Sequence, residues 1–306
     1  MLGFENNVTG NINTVIGDSN LLNGNENKVL GGNNSVNGDT NMVKGNQNNI
    51  NGSQNLLQGN KTVINGNYNA VSGDKNTVNG NENTAIGDTN TLNGNKNQVL
   101  GSLNTVTGHE NVLQGSSNNV KGSQNTLSGD SNKLTGSKNM IGGSNNTVNG
   151  DSNGVKGNSN QLMGNFDLIL GDANKVKGDF NSVFGNLNQV IGGNNALTGD
   201  ENKVKGGNNT VNGSHNAMQG DGNKVQGQSN TLIGDLNFNF GDFNSILGSQ
   251  NQVKGSKNTL QGSTNLVVGS ENQLKGSCNS VGGNNNYVAG SHNFVLTDLS
   301  GFDFSC

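Results

Sequence analysis

Residues 73–108 read GDKNTVN GNENTAI GDTNTLN GNKNQVL GSLNTVT G, five successive units of seven that differ in detail and share one frame. Glycine opens each unit. Asparagine stands three residues later, an aliphatic residue five later, and Asp, Asn or Ser directly follows the glycine in all five. Extending the frame outward, glycine recurs every seventh residue from Gly3 to Gly290, 42 times with no insertion or deletion. With the glycine as position 0, position 3 is Asn in 40 units, the exceptions being Thr62 and Asp167. Position 5 is aliphatic or Met in 41 units, and Asn239, between Phe238 and Phe240, is the exception. A fixed short period of this kind marks a solenoid.

A period of seven raises the coiled coil first. Heptads of that kind carry two apolar positions and avoid glycine, whereas each unit here has one reliably apolar position and a Gly that costs about 1 kcal/mol in a helix. Collagen needs Gly every third residue together with Pro, and this chain has no Pro. An extended segment accommodates the pattern, because residues two apart share a face. Positions 3 and 5 then point inward and positions 4 and 6 outward, while Gly and the short polar residue after it form a corner. Two heptads make a flattened coil of fourteen residues. The expected fold is all-β: a parallel β-solenoid with two flat sheets and about 21 coils, covering 3–296, with 297–306 as a capping tail. At about 4.8 Å per coil such a rod would be roughly 100 Å long. The inward Asn residues are expected to form structural ladders, each bonding its equivalent one coil away.

Composition narrows the function. Only 28% of the 306 residues are hydrophobic and 12% charged, far below globular norms, so a single compact core is excluded. A net charge of −4 argues against nucleic acid as the main partner, and against an anionic membrane. No apolar run is long enough to span a bilayer, so no membrane insertion is expected. No secretory apolar region precedes the repeats, so a signal peptide is expected to be absent or already removed.

Alternate heptads fall on opposite sheets. Face A belongs to the units opening at Gly3, Gly17 and Gly31, and face B to those at Gly10, Gly24 and Gly38. Face B carries 17 large aliphatic, Met or Phe residues at its outward positions against six on face A. Leu168, Leu170, Phe184, Phe238, Phe240, Leu266 and Val268 are among them, and they make face B the candidate surface for self-association or a partner. Face A is polar over its first two-thirds, with nine outward Thr against five on face B. Thr77, Asn79, Thr91, Asn93, Thr105, Thr107, Thr135, Thr147 and Asn149 lie there, and further on it turns basic at Lys175, Lys177, Lys203 and Lys205. Outward Thr repeating at the strand spacing can order water in a lattice-like sheet; strand propensity alone also favours Thr.

The unit x-x-N-x-V-x-G, seen as DKNTVNG (74–80), SLNTVTG (102–108) and SNNTVNG (144–150), resembles that of the grass ice-recrystallisation-inhibition antifreeze proteins, over essentially the whole chain. The resemblance implies a left-handed β-roll with internal Asn ladders, a Val core and one flat ice-binding face, in an extracellular protein. It implies that the residues flanking the Val carry the ice contact, here Thr77, Thr91, Thr105, Thr107 and Thr147. This chain departs from the family in its length, its greasier face B and the lysines on face A. A second resemblance is to the head domains of trimeric bacterial adhesins, which use fourteen-residue rolls with Ser and Ala inside; it points to a structural or adhesive fibre assembling through face B. End-to-end stacking is a further expectation, since the repeats begin at Gly3 with no cap.

Residues for chemistry are sparse. His109, His215 and His292 fall at corners far apart in sequence, where no metal or nucleophile site can converge. The repeated Asp at position 1 (Asp74, Asp88, Asp130, Asp151) fits a corner-capping role better than a cation-binding ladder. No catalytic residue, metal or cofactor is expected. Cys278 sits at a corner near the end of the repeats and Cys306 is the last residue. The tail carries Phe302 and Phe304, and a solenoid end wants covering. The two Phe are expected to cover the final coil, with Cys306 paired to Cys278.

Overall fold

The computed structural model describes residues 1–297. Among them are 42 strands of three residues, the first Asn7–Thr9 and the last Phe294–Leu296, and no helix. Each strand covers positions 4, 5 and 6 of one heptad. The chain divides into two compact units, Met1–Asn153 and Gly154–Cys306. In each unit every strand pairs in parallel with strands fourteen residues away, as Thr77↔Thr91 and Thr91↔Thr105 do in the first and Lys175↔Gln189 in the second. Odd-numbered heptads build one sheet, bearing face A, and even-numbered heptads build the other, bearing face B. The fold is a parallel β-solenoid of about 21 fourteen-residue coils.

The heptad at residues 101–107 shows why the pattern is obligatory. Its backbone donors leave the coil in both directions. Gly101 N–H reaches the Ile86 carbonyl (2.9 Å), Leu103 the Asp88 carbonyl (3.0 Å) and Thr105 the Asn118 carbonyl (2.8 Å). Ser102 N–H reaches the Ser116 hydroxyl (3.2 Å) and Asn104 N–H reaches Asn90 Oδ1 (3.0 Å). The side chain of Asn104 is 1% exposed and saturated. Its Nδ2 donates to Asn90 Oδ1 (3.1 Å) and to the Gly115 carbonyl (2.8 Å). Its Oδ1 accepts the backbone N–H (3.0 Å) and Nδ2 (3.1 Å) of Asn118. All four bonding sites of a carboxamide are used. An apolar residue there would strand the Gly115 carbonyl and the Asn118 N–H in the interior.

Glycine at position 0 belongs to the same device. A Cβ on Gly101 would overlap the Gly115 carbonyl, the group that takes the Asn104 amide, and Gly101 holds φ at 133°. The coils can therefore close to bonding distance only where no side chain stands at that corner.

One sequence expectation about the corner is corrected. Position 1 side chains do not bond nearby backbone in the same corner; they bond the equivalent residue of the neighbouring coil. Asp74 Oδ1 accepts the N–H of Asn60, Asp88 that of Asp74, Asp130 that of Ser116 and Asp151 that of Ser137, at 2.6–2.7 Å. A side-chain acceptor is needed because no carbonyl reaches that donor, and Asp, Asn, Ser or even His109 through Nδ1 (3.0 Å to Asn95 N–H) meets the requirement. Positive φ is present at the corner glycines, as at Gly101, and the left-handed region is occupied again two residues later. There 41 non-glycine residues hold φ between 55° and 63°, among them β-branched Ile12, Thr40, Thr89 and Thr264. The inter-coil bonds of the corner outweigh a local cost of about 1–2 kcal/mol at each such residue.

The core is a single file of position 5 side chains on each sheet, Leu92, Val106 and Val120 among them, each 0% exposed. Thr62 carries the inward ladder with its hydroxyl, accepting Asn76 N–H at 3.3 Å. Asn239 breaks the apolar file of the second unit, and its Oδ1 is buried with no hydrogen-bond partner. Asp167 takes the place of an inward Asn and accepts Asn181 N–H (2.7 Å) and Nδ2 (3.0 Å) on Oδ1. Its Oδ2 and the Gly178 carbonyl both crowd the point where a Cβ on Gly164 would stand, so an oxygen faces an acceptor where the other coils place an amide nitrogen. Burial pushes this carboxyl from 3.8 up to about 6 against the lowering effect of the Asn181 bonds.

Two outcomes follow for stability. Gly101→Ala should cost about 2–6 kcal/mol, from backbone strain together with loss of the Asn104–Gly115 bond, whereas Gly142→Ala, at an outward position with nothing within 4 Å of an added Cβ, should be neutral; thermal unfolding by circular dichroism compares them. Asp167 is protonated in both states at low pH, and above pH 6 the native state holds a carboxylate it disfavours. Its favourable contribution is therefore complete below about pH 4 and lost as the pH rises through about 6. Asp167→Asn should accordingly raise the melting temperature at pH 8 and leave it little changed at pH 4; equal shifts at both would show that the carboxyl titrates normally.

Candidate functional site: two flat faces

Among the described residues no group of three or more His, Cys, Asp or Glu could hold a metal ion. His215 lies 3.2 Å from Glu201 at a corner, and His109 is occupied by the corner ladder. Cys278 is exposed at its corner, and its expected pairing with Cys306, like the expected cover by Phe302 and Phe304, lies outside the described residues. What the fold offers is surface.

Face A of the first unit brings most of its candidate residues together. Thr77, Thr91 and Thr105 stand in register on consecutive strands, and beside them run Asn79, Asn93 and Thr107. Thr135 and the pair Thr147 and Asn149 are set apart, because the next strand presents Asn119 and Lys121, and Lys133 shares a strand with Thr135. Toward the N-terminus the structure adds residues the sequence reading passed over. Asn23, Asn37, Asn51 and Asn65 occupy the same outward rank as Asn79 and Asn93. Side-chain amides link Asn23 to Asn37 (3.2 Å), Asn37 to Asn51 (3.0 Å), Asn65 to Asn79 (2.9 Å) and Asn79 to Asn93 (2.8 Å). The molecule thus has an outward Asn ladder besides the buried ones. Its signal in the sequence is Asn at position 6 recurring every fourteen residues, which the inward repeat of Asn at position 3 overshadows.

Over the seven strands from Leu21–Asn23 to Thr105–Thr107, face A carries no charged side chain. At the strand spacing this patch is roughly 30 Å long. The bonds form two runs of three, in which the central Asn37 and Asn79 each spend one N–H and one lone pair on their neighbours and keep one of each for solvent. The bonding fixes the amide planes, and the adjoining Thr are stiff at χ1.

Face B is apolar in clusters. In the second unit Leu170 pairs in register with Phe184, and Leu168 stands beside Leu170. Three strands separate these from Phe238, Phe240, Leu266 and Val268, which with Gln252, Val253 and Lys254 line a cleft of about 360 Å³. Lys224 Nζ lies 5.6 Å from the Phe238 ring centroid. Phe166 and Phe180 stack at 5.1 Å on a corner that the sequence reading left unremarked.

The motif, the paired sheets and the glycine–asparagine corner converge on one family. The family model described as "Grass antifreeze beta roll" matches residues 2–87, 72–157, 152–241 and 219–300. The chain belongs to the grass antifreeze β-roll family. No curated protein matches it. The family is an antifreeze kind rather than an enzymatic one, and its four matches take in both units, including the lysine-bearing and apolar stretches of the second.

Proposed function

We propose that this antifreeze β-roll binds ice and inhibits its recrystallisation through the uncharged patch of face A in the first unit. The observation that carries this reading is the outward Asn ladder continuing in register beside the Thr rank of Thr77, Thr91 and Thr105. Ice presents a surface of donors and acceptors on a lattice. A protein surface competes with liquid water for that lattice only if its own groups are spaced regularly and already immobile, since ordering flexible side chains on contact would cost about 0.5–1.5 kcal/mol each. Here the backbone sets the spacing, the amide bonds set the orientation, and Thr methyl groups alternate with polar atoms. The residues in contact would be Asn65, Thr77, Asn79, Thr91, Asn93, Thr105 and Thr107, with Thr135, Thr147 and Asn149 as a smaller second area beyond the lysines. Family membership supports the same activity, and with it an extracellular site of action.

A second reading has its own observation. Phe238, Phe240 and Leu266 are each 43–45% exposed around one cleft on face B, which favours self-association there. The two surfaces belong to opposite sheets, so both activities can coexist.

Thr105→Lys combined with Thr107→Lys should leave the circular dichroism spectrum unchanged and give ice grains as coarse as an albumin control in a splat assay; retained inhibition by the folded variant would move the site elsewhere. Light scattering addresses face B: a species larger than the monomer is expected, converted to monomer by Phe240→Lys with Leu266→Lys, and a monodisperse monomer in the unsubstituted protein would remove this reading.

A further inference from the structure

Charge in this chain is segregated by position in the coil. Of the 21 acidic residues, 18 occupy positions 1 and 2, Asp167 points inward, and Asp298 and Asp303 follow the repeats. Neither flat face carries a single outward Asp or Glu. Of the 17 lysines, 12 stand at outward strand positions. The net charge of −4 thus combines acidic corners with cationic faces.

The density of this charge is greatest on face A of the second unit. Lys175 and Lys177 flank one strand, Lys203 and Lys205 flank another, and the strand between them, Gln189–Ile191, pairs with both in register. The four lysines spring from a rectangle of backbone positions whose long side is two strand spacings, roughly 10 Å. All four lysines are exposed, and among the described residues the two ion pairs, His215 with Glu201 and Lys257 with Glu271, lie at corners. Exposed aliphatic residues share the surface: Met163 and Ile191 adjoin the lysines, and Ile233 and Leu247 follow on later strands of the same face.

We propose that this face docks on an anionic lipid bilayer surface. Three features select that occupant. The face is one extended parallel sheet of short strands in register, which suits a plane better than a groove-bound chain. Its charge is of one sign, so no acidic group opposes the approach of phosphate or carboxylate headgroups. Its aliphatic side chains lie level with the lysine stems, where they can enter the headgroup boundary, a use that a hydrated soluble polyanion does not offer. The nearest acids, Asp172, Asp179, Asp200 and Glu201, stand at corners two or three residues from the lysines, so they act at the rim of the face while its outward strand positions carry only cations. The docking residues and the ice-facing patch lie in different units, so either assignment can fail without the other.

The test is sedimentation of the full chain with vesicles of phosphatidylcholine and phosphatidylserine in equal parts, against vesicles of phosphatidylcholine alone. Binding to the mixed vesicles is expected, with little to the neutral ones and release near 1 M salt, where the Debye length is about 3 Å. Removing Lys175, Lys177, Lys203 and Lys205 together (each →Gln) should weaken binding more than about a hundredfold, given about fivefold per lysine at such a surface. The pair Lys203→Gln and Lys205→Gln should give an intermediate loss, and recrystallisation inhibition should be unchanged in both. A control removes the same charge from corners by Lys61→Gln, Lys75→Gln, Lys96→Gln and Lys138→Gln and should bind as the unsubstituted protein does. Failure to sediment with mixed vesicles at low salt would overturn the proposal. So would equal loss in the corner variant, or displacement from vesicles by soluble polygalacturonate at matched charge, which would assign the lysines to an acidic polysaccharide.

Discussion

The contact on which the whole molecule depends is the bond from an inward asparagine amide to a glycine carbonyl eleven residues later, as from Asn104 to Gly115. That carbonyl stands where the side chain of Gly101 would be, so the bond forms only if position 0 lacks a Cβ. Glycine and asparagine are two halves of one requirement, which is why both recur with the same period. The same amide also ties Asn104 to Asn90, so each corner bond is part of a column along the unit. Hydrogen bonding thereby does much of the work that a hydrophobic core does elsewhere, in a chain with only 28% hydrophobic residues. A thin file of one aliphatic residue per heptad is enough because almost no polar group is left unmet inside.

This economy inside is what leaves the faces open to specialise. Positions 4 and 6 are needed for their backbone alone, and their side chains never enter the core. Over one stretch they carry laddered Asn and Thr, over another paired lysines, and on the opposite sheet Phe and Leu around a cleft. The corners take the acids because position 1 must supply an acceptor to the neighbouring coil, and a carboxylate is as good as an amide there. Surfaces of different chemistry can then sit on one backbone without altering it.

How much of this was legible follows from how each feature is encoded. The fold is written in a strict period, and a lattice fold has few other ways to bury Asn and Val two residues apart, so strands, coil size and facing followed from counting. The corner conformation was not legible. Position 2 hosts Glu, Lys, Phe, Leu and Thr with no preference for residues that tolerate positive φ, because the bonds that hold Leu103 or Thr89 there come from the neighbouring coil. The role of position 1 was misread for the same reason: Asp74 serves a donor fourteen residues away rather than its own turn. The Thr side of the candidate site could be picked out residue by residue. The outward Asn rank from Asn23 to Asn65 was passed over although Asn79 and Asn93 of the same rank were named, because Leu21, Ser35, Asn49 and Val63 stand beside it in place of Thr.

Sequence alone determined the period, the assignment of each side chain to core, corner or face, and so the fold, because every heptad obeys one steric and hydrogen-bonding rule that one-dimensional counting captures. Tertiary structure alone decided which outward residues act together. Thr107 and Thr135 look equivalent in the repeat, yet Lys121 stands on the strand between them, while Asn79 and Asn93 become one rigid array through a bond that exists only when coils lie at strand spacing. Recognition of an extended surface depends on lateral neighbours, and in a solenoid those are always a full coil apart along the chain.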